Sequence, residues 1–196
     1  MRLRFAVPIL TAWLTWASFA GAGEARLPFL VGLEVGTWKP AAISADRPLE
    51  PNVLPGTRAL LGFSIGSSVR SDLDVLVSAQ YWEQVELPAN SIATRVRILP
   101  VGLHFRHHLA EGSWLSPFAD YGAWALLGAQ KLALTSQWDS QSGYGVSLGA
   151  GMSVLLGRTL MVVFRGGYLY AKFPRILGQT DDYSGTEFSL SLLLRL

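Results

Sequence analysis

The chain alternates between apolar and small or polar residues with a period of two, the mark of strands with two different faces. Phe29, Val31, Leu33 and Val35 oppose Gly32, Glu34 and Gly36. Leu61, Phe63 and Ile65 oppose Gly62, Ser64 and Gly66. Leu73, Val75, Val77, Ala79 and Tyr81 oppose Asp74, Ser78, Gln80 and Gln84. The same rhythm returns in 115–132, 143–156 and 160–173, and the chain closes on Phe188, Leu190, Leu192, Leu194 and Leu196. The stretch 93–109 is less regular. Its phase is open around Pro100: odd positions face out if the strand is regular, and a bulge there would turn Arg95 and Arg97 inward. This predicts eight strands. Connections at 67–72, 110–114 and 157–159 are short. Those at 39–57, 87–92, 133–142 and 174–185 are longer and hold turn-forming Pro, Asp, Asn, Gly and Ser.

An even strand count, with short turns on one rim and long loops on the other, is the pattern of a transmembrane barrel. The fold class expected is therefore all-β, an eight-stranded antiparallel up-and-down barrel. The content of the second face separates it from a soluble barrel. A solvated face would carry many Lys, Glu and Thr, whereas this one is mostly Gly and Ser. Small residues suit a crowded eight-stranded bore, so the apolar face is expected to look outward into lipid. The three lysines, Lys39, Lys131 and Lys172, lie at the long-loop ends of their strands. Trp38, Tyr81, Trp82, Tyr170, Phe173 and Phe188 fall at that level, and Phe29 and Trp114 toward the other rim, as two aromatic girdles would require.

Before the first strand, a basic start at Arg2 and Arg4 precedes an uncharged run from Phe5 to Gly23 that ends in small residues. This is the layout of a secretory signal peptide, expected over residues 1–22, with the barrel over 23–196. A membrane anchor is the competing reading. Subtracting Arg2 and Arg4 from the 16 basic residues leaves 14, equal to the 14 acidic ones, so no cationic surface argues for nucleic acid. The absence of Cys excludes disulfides, thiolate metal sites and cysteine catalysis.

The sequence resembles the small eight-stranded outer membrane barrels of the OmpA, OmpX and OmpW type. The residues that carry the likeness are the opening run Val31 to Trp38, the strand Ile98 to Leu103 and the closing alternation Phe188 to Leu196. The chain ends in Leu196 where such barrels usually end in an aromatic residue. The resemblance implies a bacterial outer membrane location, contact with membrane lipid and lipopolysaccharide, and assembly by the barrel-assembly machinery. A monomer is expected.

A charge cluster is expected in the lumen: Glu34, Asp120, Arg165, Glu187 and Arg195, with Asp74 at the lower rim. Buried charges must pair, so Arg165 is expected to be held by Glu34 or Asp120 as a plug. A gate on a narrow ion path is the alternative. Lys39, Lys131, Lys172, Arg106 and His107 are expected at lipid head groups. The three histidines, His104, His107 and His108, make a poor metal site, because His104 and His108 are about 13 Å apart along a strand and His107 faces the other way. No metal and no cofactor are expected.

An enzyme acting on lipid A would need its groups near the long loops, where no histidine lies. Asp139, Asp181, Asp182 and Glu187 have no supporting spacing, and Asp181-Asp182 reads as a solvated pair or a divalent-cation contact. The expected role is thus structural or surface-binding, without catalysis. Trp138, Tyr183 and the 40–55 segment offer a surface for a ligand. A narrow channel for ions or small hydrophobic ligands, and a lipid A-modifying enzyme, are the alternatives.

Overall fold

The computed structural model describes residues 28–44, 59–86, 93–110, 114–132 and 134–196. The expected signal peptide, the 87–92 loop and most of the 40–55 segment lie outside them.

Among the described residues nine strands form: β1 (Phe29–Pro40), β2 (Ala59–Arg70), β3 (Leu73–Glu86), β4 (Thr94–His108), β5 (Leu115–Leu132), β6 (Asp139–Leu156), β7 (Leu160–Leu177), β8 (Thr180–Asp182) and β9 (Gly185–Arg195). Eight of them are barrel staves, and the three-residue β8 folds back on the end of β7. A four-residue helix, α1 (Ala41–Ser44), follows β1. Each stave pairs antiparallel with the next, and β1 pairs with β9 to close the ring. Reciprocal bonds between Phe29 and Leu196 finish that seam. No backbone edge is left along it, as a bilayer requires.

Closure turns the sequence rhythm into an inside and an outside. Leu33, Val35, Leu61, Leu148, Phe164, Phe188 and Leu192 stand exposed around the wall, Leu148 at 68% and Leu33 at 65%. Ser64, Ser78, Asp120, Ser147, Arg165 and Glu187 are buried inside. An apolar belt of this extent would be a large exposed patch in water and is matched by hydrocarbon.

Strand β4 keeps one phase from Thr94 to His108. Its register with β5 runs unbroken through Pro100, which faces Leu126. The pairing with β3 has the same offset on both sides of Pro100 and is interrupted only there, because proline has no N–H to donate. Odd positions therefore face out along the whole strand, and Arg95 and Arg97 are on the outer wall.

The inside is not filled by small residues alone. Trp38, Trp82 and Phe173, expected in the outer girdle, point inward. With Trp124, Leu60, Ile98, Leu126 and Tyr183 they form an apolar core in the long-loop half of the bore. The inward glycines of β4 and β6 are the seats for these groups. A Cβ on Gly102 would lie 2.5 Å from the Trp124 ring, and one on Gly143 would lie 2.8 Å from the Phe173 ring. The segment expected as a long loop at 174–185 is largely ordered pairing. Strand β7 runs on to Leu177, Gly178 turns with φ +67°, and Tyr183 folds back into the mouth, fully buried.

Candidate functional site

The lumen is stacked in layers. At its middle, β5 contributes Asp120, β7 Arg165 and β9 Glu187, all inward by the parity of their strands. Arg165 Nε donates to Asp120 at 2.8 Å, and Arg165 Nη1 donates to Glu187. Arg106 Nη2 lies 3.4 Å from the other Asp120 oxygen, and His104 Nδ1 lies 3.5 Å from the first. Glu34 lines the same space. The free volume among these groups is about 10 Å³, room for about one water. Gly149 faces the Arg165 guanidinium, and its missing side chain leaves space for it.

This is a plug held by buried ion pairs. The expectation for Asp120 holds, while the second partner of Arg165 is Glu187 rather than Glu34. Arg106 corrects the expected head-group contacts, and His104 lies beside it in the bore. Both sit on even positions of β4, and with no slip at Pro100 those positions face inward: Arg106 and His104 are each 5% exposed. Arg106 pairs across the ladder with Asp120 and also lies over the Phe118 ring at 4.5 Å. His104 meets Trp124 edge-on at 4.2 Å. Arg195 is a second correction. It has the inward parity of β9 but stands on the last rung, so it is exposed at the short-turn mouth and joins no ion pair with the plug.

Above the plug lies the aromatic layer. Trp38 and Trp82 have ring centroids 5.3 Å apart, and Tyr183 meets Trp82 at 5.9 Å and Phe173 at 5.7 Å. Tyr183 OH donates to the Leu177 carbonyl, and Ser184 accepts from the Ala171 N–H at 3.0 Å. Tyr183, expected on the surface, is therefore a stopper.

Below the plug, Phe118, Val163, Leu193 and Met161 form a thin apolar layer. Beneath it a bowl of about 380 Å³ opens at the short-turn mouth. Its wall carries Asp74, His108 and Ser116. His108 Nε2 is 2.9 Å from Asp74 Oδ2, and Nδ1 is 3.2 Å from Ser116 Oγ. Ser68 donates to Asp74 at 2.6 Å. The sequence reading placed Asp74 correctly at the lower rim but missed its partners. The signal was parity, since His108 shares that of His104 and Arg106, and it could be used only once the phase of β4 was settled.

On the outer wall, Lys39 is exposed, Lys131 is partly exposed and Lys172 pairs with Asp181 at 3.0 Å, all at the long-loop end. Glu83 joins Arg97 at 2.7 Å and Arg95 at 3.4 Å, and Arg97 covers Trp138 at 4.3 Å. At the other end, His107 faces out and stacks on Tyr121. Among the described residues no group of three or more His, Cys, Asp and Glu side chains is placed to hold a metal ion.

No family model matches the chain, and neither does any curated protein sequence. Solved structures do match. Neisserial surface protein A superposes with a TM-score of 0.60 at 14% identity, over 89% of this chain and all of that one. Escherichia coli outer membrane protein W gives 0.53 at 14% identity, over 89% and 100%. Ail, the attachment invasion locus protein of Yersinia pestis, gives 0.50 at 15% identity, over 86% and 97%. Such identities speak for the fold alone, and that fold agrees with the closed ring, the outward apolar belt and the filled bore. By fold, the chain is a small closed eight-stranded antiparallel β-barrel, similar to these outer membrane proteins.

Proposed function

We propose that the protein is a sealed barrel of the bacterial outer membrane, monomeric and assembled by the barrel-assembly machinery, whose role is structural or surface-binding rather than transport. The observation that carries this is the closed lumen. A polar plug with space for about one water lies directly under a layer of packed aromatic rings. Eight staves leave an interior that side chains fill, and here they fill it. The binding surface is then the long-loop rim, with Arg95, Arg97 and Lys131 on the outer wall and Lys39 and Lys172 beside them, at the depth where anionic lipopolysaccharide head groups lie. Attachment, the role named for Ail, is the kind of work such a rim can do.

Planar-bilayer recording tests the reading. The purified barrel is expected to insert without discrete conductance steps in molar salt. Reproducible single-channel steps would favour a narrow channel and overturn it.

A further inference from the structure

Asp74, His108 and Ser116 form a hydrogen-bonded chain that the plug does not use. They come from three successive staves, β3, β4 and β5, brought to one depth by the pairings Asp74 with Arg106 and His108 with Phe118. The His108 and Asp74 side chains are 11% and 5% exposed, and Ser116 is 9% exposed. All three border the 380 Å³ bowl. A carboxylate, an imidazole and a hydroxyl in series, opening on a cavity, is the arrangement that activates a serine nucleophile.

We propose that the short-turn bowl is a hydrolytic site for small carboxylic esters, with Ser116 as nucleophile, His108 as base and Asp74 as the group that orients it. This goes beyond the sealed-barrel reading and reverses the expectation of no catalysis. The two are independent, because a blocked bore leaves the bowl open to water from its own side.

The proton assignments follow from the partners. His108 Nε2–H donates to Asp74, which itself accepts from Ser68, so the Nδ1 lone pair faces Ser116. The two ring nitrogens exchange the places they hold in serine proteases, and a neutral imidazole offers one donor and one acceptor either way. Ser116 Oγ also donates to the Ala110 carbonyl at 2.9 Å, so its single proton must turn from that carbonyl to His108 Nδ1 for the hydroxyl to be activated. In the first step Oγ attacks the ester carbonyl carbon and its proton moves to His108 Nδ1. The bond from that carbon to the alcohol oxygen then breaks, and the leaving alcohol takes the proton. Water attacks the acyl-Ser116 ester next, giving a proton to Nδ1. The carboxylic acid leaves and Oγ regains its proton. Arg195 lines the same bowl and is the cation at hand for the oxyanion. Leu30, Leu155 and Met161 give the acyl chain an apolar wall, and the volume falls in the range of small-molecule sites.

The test uses the refolded barrel in detergent, treated with a fluorophosphonate probe and, separately, with p-nitrophenyl butyrate. The expected result is one covalent adduct that maps to Ser116 in the folded wild type. Ser116→Ala should remove both adduct and ester turnover, and His108→Gln should slow both about a hundredfold, with the heat-modifiable mobility of the folded barrel retained. A folded wild-type barrel that takes no label at Ser116 overturns the proposal, and this arm needs no variant to fold. Labelling or turnover that is indifferent to His108→Gln in a folded barrel overturns it as well.

Discussion

Arg165 bonds two carboxylates in a space with almost no free volume; if it is removed, Asp120 keeps Arg106 nearby while Glu187 loses its ion-pair partner. Truncating one partner of a buried ion pair leaves uncompensated charge, which costs about 3–5 kcal/mol. Arg165→Ala is therefore expected to lower the urea midpoint of the refolded barrel by that equivalent. Arg195→Ala, at the exposed mouth, should shift it by under about 0.5 kcal/mol. Equal effects would contradict the division between plug and rim. Glu34, Asp120, Arg165 and Glu187 were legible in the sequence, because a charge on the small-residue face of a strand has only the bore to enter. Arg106 was not, because its side follows from whether β4 slips at Pro100, and a proline permits either outcome. The Asp74–His108–Ser116 chain was legible only in part, because parity gives the side each residue is on and only the stagger between staves brings the three level.

The staves show how small and large residues share the bore. Gly102 on β4 lies across the ladder from Trp124, and a Cβ there would lie 2.5 Å from the indole. Gly102→Val should cost about 1–3 kcal/mol by overpacking, read as a lower unfolding midpoint together with a changed near-ultraviolet tryptophan signal. A sequence pattern reports which face a residue is on but not how far its side chain reaches. That is why the Gly and Ser stripe suggested a bore of small residues, while Trp38, Trp82 and Phe173 were assigned to a girdle. The β7–β8 turn and Tyr183 are a stopper for the same mouth. Tyr183→Phe, which removes the hydroxyl that donates to the Leu177 carbonyl, should cost about 1 kcal/mol. The stopper is expected to respond to acid. Hydrogen bonds from Ser184 hold the Asp182 carboxyl below the usual carboxylate range. A carboxyl lowered by folding contributes stability above its unfolded value and loses it as the pH falls through the folded one. Tyr183 packing should thus loosen only below about pH 4, as followed by the fluorescence of Trp38 and Trp82, and an unchanged signal down to pH 2 would contradict the link.

At the scale of the whole molecule the barrel presents an apolar belt outside and holds a buried ion-paired plug within, beneath a layer of aromatic rings. Alternation, strand number and the order of short and long connections were readable, because each is a direct consequence of closing eight staves in lipid. The filling of the bore was not, since it depends on which inward side chains meet across the ring. The chain lacks cysteine, so spin labels can be placed one at a time without a background. Labels along β6 at Val146, Ser147, Leu148, Gly149 and Ala150, in a barrel reconstituted in bilayers, test the central claim most directly. The account predicts strong relaxation by lipid-dissolved oxygen at Val146, Leu148 and Ala150, and protection from both oxygen and a water-soluble nickel complex at Ser147 and Gly149. Oxygen contact at the odd positions, or nickel access deep in the bore, would contradict it.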